Sequence, residues 1–304
     1  MILERTRQLT VYMAIRELLE EDKGYGVSAL CRLGGISRSS YYKWAGRKDS
    51  ANDELNKKIA SRIEEMHASH PDMGYRRLRD ALAYHDGINV NDKRVLRICR
   101  KKKIQSIVKG RHNCCTRPAT DPAYVAENIL NREFKAERPN EKWVTDVTEF
   151  KYGTGTEQPG KIYLSAIIDL CDKRLVSYIM SDHNDNLLVF DTFDAAVAAN
   201  PDARPIFHSD RGYQYTSNDF RQRILKTGMT QSMSRVARCI DNAPMEGFWG
   251  LMKREMYYTR KYHTKEELVV AINNYMNYYT NRRPQRKLGV LTPKEYHEKV
   301  LQAA

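Results

Sequence analysis

The spacing of apolar positions changes character along the chain. Over residues 26–45, GVSALCRLGGISRSSYYKWA, an apolar helix ending at Leu33 runs into Gly34 and Gly35, and Ser37 stands where it would cap a second helix starting near Arg38. This is a helix-turn-helix outline, whose second helix would offer Arg38, Ser39, Tyr42 and Lys43 to a DNA major groove. An ordinary helical hairpin with a Tyr and Trp core is the plainer reading of the same pattern. Residues 55–107 alternate helical periodicity with turn signals at His70-Pro71 and Asp86-Gly87. Tyr75, Leu78 and Leu82 share one apolar face and Val95, Ile98 and Cys99 another, and Asn91 can cap the last helix. The outward residues of that helix, Lys93, Arg94, Arg97, Arg100 and Lys101, form a basic stripe continuing into Lys102 and Lys103. The following KGRHNCCTRPATDPA is polar and aperiodic and reads as a linker.

From Trp143 the period shortens to two. KWVTDVTEFKY, KIYLSAIIDLCD and KRLVSYIMSD predict three successive antiparallel strands. A helix over Asn186–Ala199 follows, then a short strand PIFHSD, a helix after Thr216 and Ser217, a strand TQSMS, and long helices from Asp241 onward. Strands first and alternating strands and helices later predict an α/β fold, a mixed sheet with flanking helices, preceded by an all-α region.

With 304 residues there is room for two domains, and 41% hydrophobic with 29% charged residues excludes a wholly disordered chain. No apolar stretch approaches the ~20 residues of a membrane span, and the start MILERTRQLTVYMAIRELLEEDK interleaves charges, so a cytoplasmic protein is expected. The six cysteines are too few for a disulfide framework. Cys114 and Cys115, with His112, His67 and His70 upstream, lack the intervening residues that let two thiols converge on zinc. The net charge of +13 is uneven: residues 1–120 hold 25 Lys+Arg against 14 Asp+Glu, and the remainder 26 against 24. That N-terminal excess points to a phosphate backbone as partner.

Three carboxylates occupy awkward places in this pattern. Asp146 lies mid-strand between Val144 and Thr148 on one face, and Asp210 ends an apolar strand just before RGYQY. A lone carboxylate in a strand is disfavoured unless it is paired, capping or metal-bound. Glu246 falls on the helix DNAPMEGFWGLMKREMYY, which Asp241 or Asn242 can cap, and Lys253 lies seven residues beyond it on the same face. Oxygen-only ligands from separate elements suit Mg²⁺ or Mn²⁺. Two such ions about 4 Å apart can activate an attacking oxygen and stabilise a leaving one in phosphoryl transfer.

RPNEKWVTDVTEF, HSDRGYQYTS and SMSRVARCIDNAPMEGFWGLMKRE, in this order, resemble the catalytic core of bacterial insertion-sequence transposases of the IS-three type, the OrfB product, within the retroviral-integrase superfamily. Asp210 and Glu246 have thirty-five residues between them, the interval typical of that family's second and third acids. Lys253 matches its basic residue downstream of the glutamate. NYMNYYTNRRPQRKLGVLTPKEY resembles the family's C-terminal tract, and GYRRL with VNDKRVLRI its accessory helical DNA-binding region. The likeness spans residues 26 to 297.

The resemblance implies an RNase H-like integrase catalytic core with a DDE triad of Asp146, Asp210 and Glu246, two divalent ions, Mg²⁺ or Mn²⁺, and action on terminal inverted repeats and target DNA. Water would first cut the DNA at an element end, and the freed 3′-hydroxyl would then attack another phosphodiester. Lys253 is carried over as a DNA contact, and Asn242, His208 and Arg211 as secondary site candidates. The expected organisation is a helix-turn-helix-like segment at 1–50, a helical DNA-binding domain at 51–107, a linker at 108–137 and the core at 138–300. A homo-oligomer on DNA is expected by analogy, nucleoid-associated when bound, with a small OrfA helix-turn-helix partner or a frameshift fusion to it. The chain departs from the family at Ala237, where glycine is frequent, and at Gln285, where histidine is. Two rival readings are a DNA-binding regulator without chemistry, against which the intact triad stands, and a tyrosine recombinase using Tyr275, Tyr278 or Tyr279, whose helical spacing fits core packing better.

Overall fold

The computed structural model describes residues 2–21, 24–46, 50–107, 123–153, 155, 157, 159–236 and 239–303. Residues 108–122, with Cys114 and Cys115, and Ala237 lie outside these. Two compact units are present, Met1–Ile59 and Ala60–Ala304. Among the described residues no helix is long and apolar enough to cross a membrane.

The first unit contains α1 (Ile2–Glu20), α2 (Val27–Leu33) and α3 (Arg38–Ala45). Ser37 caps α3 as its sequence position requires, its hydroxyl accepting from the Ser40 amide. The helix-turn-helix outline and the aromatic core are both present. Ile15, Leu30, Cys31 and Tyr41 are buried together, and Tyr12 from α1 stacks on Trp44 with ring centroids 5.3 Å apart. Arg38, Ser39, Tyr42 and Lys43 remain exposed on α3.

The helix α4 (Ala51–Ser69) runs across the boundary between the units, and α5 (Tyr75–Asp86) and α6 (Asp92–Lys101) follow within the second. Gly87, at φ +64°, ends α5 in the left-handed conformation, which glycine adopts without a Cβ clash. Asn91 caps α6 by accepting from the Arg94 amide at 2.8 Å. Leu78, Leu82, Val95, Ile98 and Cys99 are buried, while Lys93, Arg97, Arg100 and Lys101 are exposed and Arg94 is half-buried. The stripe therefore faces solvent along one helix.

The sheet has five strands in the order β3-β2-β1-β4-β5, namely β1 (Lys142–Tyr152), β2 (Gly160–Asp169), β3 (Leu175–Ser181), β4 (Ile206–Ser209) and β5 (Thr230–Met233). The first three form the antiparallel meander expected from their alternation, and β4 and β5 add in parallel on the other side of β1. Alternation along β1 and β2 sends successive side chains to opposite faces. Val144, Phe150, Ile162, Leu164, Ala166 and Ile168 pack against α9 (Ala243–Met252) and α10 (Lys265–Asn281). Trp143, Ile167, Val176 and Phe207 pack on the other face with α7 (Asn186–Ala199) and α8 (Asn218–Thr227). Both faces of the sheet are thus covered, as a partly parallel sheet requires. Tyr275 and Tyr279 are buried in the first of these cores, which agrees with the packing reading of the tyrosine cluster.

The helical end differs from its sequence reading. A 3-10 turn (Cys239–Asn242) precedes α9, a π-helical turn (Lys253–Tyr257) follows it, and α11 (Pro293–Ala303) closes the chain. Neither expected cap of α9 does that work, because both side chains are engaged elsewhere. Asn242 occupies the cap position without a side-chain cap bond, its amide donating instead to the Thr145 carbonyl at 3.0 Å. Asp241 is bound by Arg132 and Arg235.

Candidate active site

Strand register brings the first two acids together. The parallel pairing of β1 with β4 ends at Val144 opposite His208, so two more residues along each strand Asp210 comes level with Asp146. Only the first three residues of β1 pair with β4, which leaves the edge of β1 at Asp146 open toward Asp210. The two acids lie where the chain order reverses across the sheet, between β1 and β4, a recurrent position for ligand sites in α/β sheets. Asp146 is buried at 9% exposure on the face covered by α9, while Asp210 is half-buried and turns its Oδ1 back to accept from the Gly212 amide at 2.8 Å.

Burial holds the Asp146 carboxyl well above the usual carboxylate range, and the Asp210 charge raises it further, with a smaller push from Glu246. Two contacts oppose this and favour the ionised form: a bond from the Val147 backbone N–H, and the Trp249 indole N–H donating to Asp146 Oδ2 at 3.1 Å. Tyr215, buried between β1 and α8, puts its hydroxyl 3.2 Å from Thr145 Oγ1, and the Thr145 hydroxyl donates to the Ala166 carbonyl at 2.9 Å. With Asn242 on the Thr145 carbonyl, the backbone beside Asp146 is fastened on two sides. Burial raises the pKa of the Glu246 carboxyl, although that side chain stands on the exposed side of α9. Among the described residues no three His, Cys, Asp or Glu side chains are drawn up together as a group that could hold a metal ion. The structure therefore brings Asp146 and Asp210 together and leaves Glu246 at the rim.

The remaining candidates are placed as follows. His208 is buried between Ser232 and Ser234, 2.9 and 3.2 Å from their hydroxyls, and burial lowers its pKa to about 4, so the ring is neutral at physiological pH. Its bonds tie β4 to β5 and to Ser234 just beyond it. Arg211 donates to the Ser234 carbonyl at 2.7 Å. Lys253 opens the π turn and holds its ammonium 5.2 Å from the Phe150 ring centroid. Trp249 and Tyr215 are the two supporting residues that the sequence reading passed over. The signal for Trp249 was its place three residues after Glu246, where a polar N–H on an apolar helix needs a partner.

Residues 136–239 and 246–301 match integrase core domain families, and residues 54–112 match an HTH-like domain family. The chain is 36% identical over 277 residues to the InsK transposase assigned to insertion sequence element IS150 of Escherichia coli (strain K12), covering 90% of this chain and 93% of that one. It is 32% identical to a 31 kDa protein of insertion element IS600 from Shigella sonnei, over 90% of this chain and 100% of that protein. The HTLV-2 integrase catalytic core domain in complex with magnesium aligns at 17% identity and a TM-score of 0.40, covering 53% of this chain and 97% of that one.

Proposed function

Because the chain belongs to the insertion-sequence transposases built on an integrase core domain, a polynucleotidyl-transferase-type family acting in DNA transposition and integration, we propose that it cuts and joins the inverted-repeat ends of an insertion sequence through Asp146, Asp210 and Glu246. The observation that supports this reading is the pair Asp146 and Asp210, a buried carboxylate whose pKa is raised by its burial and by the charge of a second carboxylate close by. Like charges placed together at such cost to the fold are a frequent mark of a site built for cations.

The donors fit Mg²⁺ or Mn²⁺, being hard carboxylate oxygens from a strand, a strand end and a helix. The integrase core family is divalent-metal dependent, and we assign two ions to this site. When bound, such ions supply an activated attacking oxygen and neutralise charge on the leaving oxygen. Asp146 would be a ligand, its carboxylate oriented by the Trp249 N–H. Asp210 supplies the second carboxylate from the end of β4. Glu246, exposed on α9, is the acid that must turn inward for all three to act together. Lys253, at the end of α9 where the π turn begins, and the α6 stripe would bind backbone phosphates on either side of the cut.

The helical region 51–107 serves as the DNA-binding domain in this reading, with Arg38 and Lys43 of the first unit as further contacts. The protein works as a homo-oligomer on paired ends, with an OrfA partner or fusion contributing to end recognition. Asp146→Asn, Asp210→Asn and Glu246→Gln should each abolish Mg²⁺-dependent cutting and strand joining of an end-bearing duplex while leaving its binding intact. Retained cutting in any of the three would remove that residue from the site.

A further inference from the structure

A second buried charge cluster lies outside the acidic site. Glu255, on the π turn that continues α9, is 6% exposed at its side chain and accepts from three partners drawn from distant parts of the chain. Arg283, just after α10, grips both of its oxygens, with Nη2 to Oε1 at 2.7 Å and Nε to Oε2 at 2.9 Å. Arg77, on α5, reaches Oε1 at 2.8 Å, and the Tyr275 hydroxyl donates to Oε2 at 3.1 Å. Arg77 also pairs with Asp72 at 2.5 Å and donates to the Tyr278 hydroxyl at 3.2 Å. The cluster balances two anions with two cations.

Buried ion pairs contribute little net stability compared with apolar packing of the same volume, and their best-attested use is to fix one register among several. Here the registered elements are informative. α5 packs against α6, which carries the basic stripe, and Glu255 lies nine residues beyond Glu246 on a continuous helical segment. Two parallel ties join the same helices to the C-terminal tract: Arg286 bonds Asp80 and Asp92, and Tyr84 donates to Glu295 at 2.6 Å. A π turn is itself an unusual local geometry that recurs at functional positions.

We propose that Glu255 is a positioning residue, at which the DNA-binding helices α5 and α6 are registered against the helix that carries Glu246, so that DNA held on the α6 stripe meets the acids at one fixed phosphodiester. The proposal rests on the cleavage function given above. A duplex clamped to α6 is then measured off to the site by the rigid path from α5 through Arg77 and Glu255 to α9. Loosening that joint leaves binding intact and blurs the place of the cut.

The test uses the full chain and an end-labelled duplex carrying the terminus of the encoding element. Glu255→Gln, which keeps shape and removes charge, should bind the duplex within twofold of wild type, cut at least tenfold more slowly in Mg²⁺, and spread the cuts over neighbouring phosphodiesters. Arg77→Lys, which keeps a cation beside Glu255, should retain a single cut position. If Glu255→Gln folds poorly, the double variant Glu255→Gln with Arg283→Gln leaves no unpaired charge and should give the same spread. A merely structural role would lower the yield of cutting while keeping one position, and that result would overturn the proposal. Amide hydrogen exchange gives a readout that does not depend on chemistry: duplex binding should slow exchange at residues 253–258 in wild type, and in Glu255→Gln only within α5 and α6. Equal protection in both proteins would overturn the coupling even if cutting were never observed, whereas intact coupling without cutting would count against the cleavage function alone.

Discussion

Replacing Asp146 by asparagine should stabilise the metal-free protein while destroying its activity. Asp146 and Asp210 lie two residues past the last β1–β4 pair, so the neighbouring-strand spacing of about 4.8 Å gives the scale of their separation. Two unit charges about 5 Å apart repel by ~3 kcal/mol at an effective dielectric constant of about 20. Asp210 is partly solvated, and screening lowers this to ~1–2 kcal/mol. At ~2–4 °C per kcal/mol for a unit of this size, Asp146→Asn should melt several degrees above wild type in chelator at pH 7, and its carboxamide oxygen can still accept from Trp249. The sign with pH follows from the raised pKa of Asp146. A group raised in the folded state favours folding when protonated, so the penalty is absent below the ordinary carboxylate range and grows as pH rises through the raised value. Melting from pH 4 to 8, with chelator and then with Mg²⁺, would show the gap opening at higher pH and closing again for wild type when Mg²⁺ is added, with no response from the variant. An Asp146→Asn protein that melts at or below wild type across the whole range in chelator would refute the reasoning.

Trp249→Phe keeps the ring and deletes the donor to Asp146, a bond to a charged acceptor of ~1.5–3 kcal/mol. Cutting should slow by roughly 10- to 100-fold, with the acid limb of the pH–rate profile moved to higher pH, and an unmoved limb would show that the indole does not tune Asp146. Neutralising Lys93, Arg97 and Arg100 together should weaken duplex binding and flatten its dependence on log salt by up to about 3 in slope, at roughly 0.9 per phosphate contact, as measured by salt-titrated anisotropy. Asn91→Ala should cost about 1 kcal/mol through loss of the α6 cap, read by denaturant titration. Tyr279→Phe should leave cutting intact and no protein–DNA adduct should form, since that tyrosine is buried in the core.

Much of the fold was legible because its signals are local. The period-two alternation of residues 142–181 gave the three antiparallel strands, and Ser37 and Asn91 declared their helices by position alone. Asp146 and Asp210 stood out because a carboxylate in or ending an apolar strand conflicts with its surroundings. What escaped was long-range. Asp241 reads as a cap until Arg132, 109 residues away, is seen to hold it, and Asn242 until Thr145 takes its amide. Trp249 reads as core because its hydrogen-bond partner is 103 residues distant. The π turn at Lys253–Tyr257 changes the helical spacing beyond Lys253, where residue periodicity announces a single continuous helix. Glu255 carries no sequence signal at all, since its partners Arg77 and Arg283 are ordinary charges until folding buries them together.

In the proposed function Asp146, Asp210 and Glu246 share divalent ions when DNA is bound. Crystals of the full chain with an element-end duplex, grown in Mn²⁺ and measured at the manganese absorption edge, test it most directly. Two anomalous peaks about 4 Å apart are expected, with Asp146 touching both and Glu246 turned in from the rim of α9. Peaks absent from these acids, or held without Asp146, would contradict it.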